Sequence, residues 1–179
     1  MRAFLALAIP EEVTDALVRL QSAIPFGKAV PEENLHLTLA FLGDAPEEAL
    51  EDLHGMLEAM RTGPVDIRFT ALDSFTEMER GLVFAAVDRT EALQALHDRV
   101  AALCRSAGLE LPRRRFRPHV TLMRANRRPA GPTRDRLAAM MGPLPDMPGF
   151  TARALTLYQS TLTPRGAVHE PLARYLLAG

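Results

Sequence analysis

Cysteine is nearly absent: Cys104 is the only one in 179 residues, so no internal disulfide can staple the chain and a reducing compartment, the cytoplasm, is the expected setting. Long hydrophobic runs are missing as well. The apolar start from Met1 to Pro10 is too short to span a bilayer and leads straight into Glu11 and Glu12, so a core strand is expected there and no membrane association. Net charge is almost nil, with 21 basic against 22 acidic residues leaving −1. That excludes a global pull on nucleic acid and requires any polyanion to be held by a local patch. Lysine is reduced to Lys28, so an abundance of arginine says little by itself. The spacings of familiar metal and nucleophile sites are missing too: there is no His-x-His, His-x-Glu, His-Glu-x-x-His or Gly-x-Ser-x-Gly. Neither a metal, nor another cofactor, nor a Ser-His-Asp hydrolase is expected. Cys104 falls on the apolar stripe of a helix, where a buried, inert thiol is expected.

What is present is a pair of matching stretches, Leu35-His36-Leu37-Thr38-Leu39 and Pro118-His119-Val120-Thr121-Leu122. In each, aliphatics alternate with a histidine and then a threonine, the pattern of a strand with one apolar and one polar face. His and Thr therefore point the same way, and a half-buried strand has little reason to carry both on one face unless they meet something polar there. The surrounding chain repeats an order of elements. An apolar strand at the N-terminus is followed by a helix bearing Val13, Ala16, Leu17, Leu20 and Ile24, then by the first motif strand at about 35–42. Asp44-Ala45-Pro46-Glu47 has the form of a capping box before a helix with Leu50, Leu53, Leu57 and Met60, and Val65–Phe69 alternates as a strand. The second half gives a strand at Leu82–Val87, a helix with Leu93, Leu96, Val100, Leu103 and Ala107, the second motif strand at about 117–123, a short helix near 133–141 and a strand near 152–158. At 47% hydrophobic and 24% charged, the chain suits a single domain over 1–179 made of two similar lobes, about 1–75 and 76–179, with strand exchange between them possible. An approximate two-fold would then place the motif strands on either side of one groove.

Two imidazoles facing one groove can hold one neutral and one protonated ring, a general base and a general acid. The threonine hydroxyls beside them donate to anionic oxygens. Together these suit in-line displacement at phosphorus, and a strained cyclic 2′,3′-phosphate is an apt substrate because no metal is then obligatory. Nine arginines lie between 113 and 136 with Asp135 as the sole acid among them, a local imbalance able to grip phosphates. Arg124, five residues beyond His119, is the preferred phosphate contact, although strict alternation turns it to the opposite face unless the strand has ended. Arg115 and Arg117 are candidates to hold RNA. Phe41 and Phe116 have the chemistry to stack on a base, with core packing the plainer use of each. His54 and His97 lie on or beside apolar helix faces and are expected to be packed imidazoles. His169, between Pro164 and Pro171, has no assigned role.

These residues resemble the two-histidine phosphoesterases, specifically the RNA 2′,3′-cyclic phosphodiesterase or 2′-5′ RNA ligase-like branch. The resemblance runs through Arg2-Ala3-Phe4-Leu5-Ala6, Pro10-Glu11-Glu12-Val13, His36-Leu37-Thr38-Leu39-Ala40-Phe41-Leu42-Gly43, Arg117-Pro118-His119-Val120-Thr121-Leu122, Leu157-Tyr158-Gln159-Ser160 and Thr163-Pro164-Arg165-Gly166-Ala167. It implies an α+β, bilobal fold of mainly antiparallel sheets, helices outside and the active groove between pseudo-two-fold-related lobes. It further implies His36 as proton donor, His119 as proton acceptor, Thr38 and Thr121 on the phosphate, and opening of the ring to a 2′-phosphate. The expected partners are RNA ends or nucleotides bearing a 2′,3′-cyclic phosphate, acted on by a monomer. Two alternatives stand beside hydrolysis: 2′-5′ RNA joining, the reverse reaction, and a non-catalytic module that binds RNA ends.

Overall fold

The computed structural model describes residues 1–75 and 81–179. In chain order its elements are β1 (Arg2–Ala8), α1 (Glu11–Ala23), β2 (Lys28–Ala29), β3 (His36–Asp44), α2 (Glu47–Glu58), β4 (Val65–Ile67), β5 (Phe69–Phe75), β6 (Leu82–Val87), α3 (Glu91–Ser106), β7 (His119–Arg124), α4 (Gly131–Met140), β8 (Gly142–Pro143), β9 (Phe150–Ala152), β10 (Ala154–Thr163) and β11 (Gly166–Leu176). The fold is α+β and the described strand pairings are antiparallel.

One nine-stranded sheet runs β11-β10-β1-β3-β7-β6-β5-β8, with β2 also paired to β7, and β4 pairs β9 separately. Its two wings, β11-β10-β1-β3 and β7-β6-β5-β8, meet at a single registered pair, Leu37 with Val120. The wings do not follow the halves of the chain. The late strands β10 and β11 lie beside β1, while β5, from the first half, pairs β6. The helices cross over in the same way, α1 packing on β7 and α3 on β3. Leu5, Leu7, Leu17, Leu37, Leu53, Leu93, Leu96 and Leu122 are fully buried between helices and sheet, and Cys104 is a buried free thiol among them.

Two local readings are revised. The capping box does not form: Asp44 is still in β3, paired with Arg2, so the N-cap position falls to Pro46, whose side chain has no donor or acceptor to offer. Glu47 and Glu48 support the start of α2 through the helix dipole instead. The segment after position 163, to which the sequence pattern assigns no regular element, is strand β11, which pairs with β10 from Gly166 to Leu176 around the Thr163–Gly166 turn. Its Pro171 is tolerated because β11 is an edge strand.

Candidate active site

The two motif strands bury their residues in the same order. Over His36–Phe41 and over His119–Arg124 the sequence is half-buried, buried, half-buried, buried, buried, exposed. Pure alternation would put the sixth residue on the core face. A β-bulge in each strand prevents this. Against β1, Thr38 pairs with Ala6 and Ala40 with Leu5, leaving Leu39 as the extra residue. Against β6, Thr121 pairs with Phe84 and Met123 with Val83, leaving Leu122 as the extra residue. Both bulges fall three residues beyond the histidine. Each turns two consecutive apolar residues to the core and returns the sixth residue to the face of the His and Thr, so Phe41 and Arg124 take corresponding places. Phe41 is therefore 53% exposed rather than in the core, and Arg124 shares its face with His119 and Thr121.

The Leu37–Val120 pair fixes how the motifs face each other. In an antiparallel register it sets His36 across from Thr121, and Thr38 across from His119. Each imidazole is anchored in the same manner: His36 Nδ1 lies 2.6 Å from the Asn34 carbonyl and His119 Nδ1 lies 2.6 Å from the Arg117 carbonyl. Since a carbonyl only accepts, each Nδ1 carries the hydrogen, and Nε2 is left as the basic atom of the neutral ring. His36 also stacks on Phe4, with ring centroids 4.8 Å apart. The Phe75 ring meets His119 edge-on at 5.6 Å, and the Arg117 guanidinium lies over that same Phe75 ring at 4.7 Å.

Burial is the main influence on both rings. Burial, joined by the charges of His169, Arg124 and His119 and opposed by the Asn34 carbonyl, lowers His36 to about 4. His119 is lowered by burial and by Arg117, Arg124 and Arg114. Both rings are therefore predominantly neutral at pH 7 in the free protein. An anion placed between them reverses the effect of the arginines, because it stabilises an imidazolium.

The remaining histidines sort cleanly. His54 bonds the Tyr175 hydroxyl at 3.0 Å, and His97 stacks on Phe116 at 3.9 Å, so both, with Phe116, are structural. His169, left without a role by the sequence, has its ring centroid 5.4 Å from that of His36. Arg115 is exposed in the loop before β7. Residues that carried no signal in the sequence are Asn34, whose useful atom is a backbone carbonyl, and Phe4, which reads only as core. Among the described residues no three His, Cys, Asp or Glu side chains group to hold a metal ion.

A family model described as the 2′-5′ RNA ligase superfamily matches residues 9–163. The chain belongs to that superfamily. Among its relatives, an RNA 2′,3′-cyclic phosphodiesterase of Thermus thermophilus is 33% identical over 190 residues, spanning 100% of this chain and 91% of that protein. A protein of the same name from Geobacillus stearothermophilus is 34% identical over 128 residues, spanning 68% of this chain and 41% of the longer relative. A crystal structure of a Thermus thermophilus protein superposes with a TM-score of 0.82 at 31% identity, covering 100% of this chain and 99% of that one. The superfamily match takes in both His-x-Thr strands and both bulges.

Proposed function

We propose that this protein hydrolyses RNA-terminal 2′,3′-cyclic phosphates to 2′-phosphomonoesters. The observation that carries the reading is the matched pair of His-x-Thr strands, each with its imidazole pinned through Nδ1 so that Nε2 is the reactive atom. The relatives' names agree with it. In this reading the half-sheets are two lobes and the groove lies between them. His119 Nε2 takes a proton from water as the oxygen attacks phosphorus, the P–O3′ bond breaks, and His36 Nε2–H protonates the departing O3′. Thr38, Thr121 and Arg124 hold the non-bridging oxygens, whose growing charge they stabilise. Phe41, with Arg115 and Arg117 nearer His119, receives the adjoining RNA. The free chain acts as a monomer in the cytoplasm, where Cys104 stays reduced.

Nucleoside 2′,3′-cyclic phosphates incubated in excess chelator test this directly, with the product isomer identified by phosphorus NMR. Formation of the 2′-monoester is expected, and loss of activity restored by zinc or manganese would overturn the metal-free mechanism. Binding without turnover would leave the protein an RNA-end module. Leaving-group chemistry separates the histidines. An aryl phosphodiester expels an aryloxide that needs little protonation, so His36→Ala should retain appreciable activity on it while His119→Ala loses it. The reverse pattern would exchange the two roles.

A further inference from the structure

A third histidine, His169, joins His36 at the Phe4 ring. His36 stacks on one side of its ring, and His169 meets it edge-on at 4.8 Å. His169 sits on β11 opposite Ser160 of β10, two residues from Tyr158, which also stacks on Phe4 at 5.1 Å. That spacing puts Tyr158, Ser160 and His169 on the face that carries His36. One residue links the two segments: the Asn34 carbonyl anchors His36 Nδ1, while the Asn34 side-chain amide donates to the Ala167 carbonyl at 2.8 Å, two residues before His169. The strand that carries His169 is thus tied to the residue that anchors His36.

Its nitrogens differ from those of the other two. His169 Nδ1 is buried with no hydrogen-bond partner, where His36 and His119 each have a carbonyl. A buried lone pair costs less than a buried unpaired N–H, so the neutral ring carries its hydrogen on Nε2. Because Nδ1 is buried, only Nε2 is left to meet a ligand. Burial and the Arg124 charge keep this ring from protonating readily, which leaves it a donor. Packing on Phe4 calls on neither nitrogen, so an apolar ring would fill that role without burying an unpaired polar atom, and the imidazole is accounted for by its Nε2–H.

We propose that His169 is a third imidazole of the substrate site, donating a hydrogen bond from Nε2 to a phosphoester oxygen on the His36 side of the groove. The inference rests on the cyclic-phosphate reading and adds to it a donor that neither His-x-Thr motif supplies. His169→Phe keeps the ring edge against Phe4 and deletes the donor, whereas His169→Gln restores one. With inorganic phosphate and a nucleoside 2′-phosphate as calorimetric probes, the Phe variant should bind at least about tenfold more weakly and the Gln variant should recover most of that, as for a hydrogen bond to a charged oxygen. In wild-type protein labelled with ¹⁵N-histidine, the His169 Nε2–H resonance should move downfield when phosphate is added. Unchanged affinity in the Phe variant, a loss that Gln does not recover, or a stationary His169 resonance would each overturn the proposal. Failure of the wild type to turn over cyclic phosphates would overturn the hydrolase reading alone, because phosphate binding reports on His169 without turnover.

Discussion

Lowered to about 4, His36 is almost entirely unprotonated at neutral pH in the free protein, so the role of acid proposed for it requires that the bound anion restore its proton. The cyclic phosphodiester is a monoanion, and an imidazolium beside it is stabilised, which raises the histidine toward its ordinary range. The sign of the effect can be measured. In kcat/KM, which reports the free enzyme, the two groups that must be in opposite states are both below 6.5, so the bell should peak on the acid side of 6.5. In kcat, which reports the complex, the limb lost as His36 deprotonates should lie at higher pH. Coincident profiles for the two parameters would mean that the bound anion does not reload His36. At this scale much was legible in the sequence: His36, Thr38, His119 and Thr121 stand out because polar residues on one face of an apolar strand require a reason. The carbonyls of Asn34 and Arg117 were not, since a backbone oxygen has no letter. His169 was obscured by the prolines on either side of it, which interrupt the alternation that marks a strand.

Elements, more than single residues, explain why Arg124 shares the face of His119 and Thr121. Alternation from His119 sends it to the core face, and only the extra residue Leu122 brings it back. Paired aliphatics, Leu39-Ala40 and Leu122-Met123, were the one visible trace of the two bulges, and such pairs are too common in strands to be read alone. The β7 bulge has its own support. Its Leu122 carbonyl accepts from Val30 N at 2.8 Å and from the Gln21 side chain at 2.9 Å, and the same Gln21 amide donates to the Val30 carbonyl. Gln21 is buried, at 6% exposure, on the mainly apolar face of α1, where Thr14 is the other buried polar residue, so helical periodicity marks it as a misfit whose purpose is structural. Gln21→Met keeps the volume and strips both bonds from buried carbonyls, which should cost about 1–3 kcal/mol of stability by urea denaturation. Because Arg124 depends on that bulge, kcat/KM should fall in the surviving folded protein. A stable variant with wild-type kinetics would show that the bulge holds without Gln21.

The whole molecule is close to neutral, and its charge is unevenly spread. Nine arginines lie between 113 and 136, Arg124 at the end of the His119 strand and the other eight divided between its two sides, and among the described ion pairs of that segment Asp135 neutralises Arg134 at 3.2 Å. The sequence displayed this imbalance directly. What it concealed was the route of the chain around it: the repeat of strand and helix was readable in each half, yet pairing places β10 and β11 beside β1, and β5 beside β6. Long-range antiparallel partners are chosen by edges and packing across the assembled sheet, and nothing local encodes them. The cations flank the motif strand that carries His119, so on the proposed function an RNA chain bound by its cyclic end would pass them while a mononucleotide would not. Each backbone phosphate so held releases condensed counterions, and for a single strand the affinity falls with a log–log salt slope of about −0.7 per contact. The KM of an oligonucleotide ending in a 2′,3′-cyclic phosphate should therefore rise steeply between low and moderate salt, while that of the mononucleotide, held mainly at the scissile phosphate, changes far less. Arg113→Gln combined with Arg115→Gln should flatten the oligomer's response toward the mononucleotide's without altering turnover of the latter. If oligomer and mononucleotide respond alike to salt in the wild type, the basic segment is a solvated surface and the substrate is gripped only at its end.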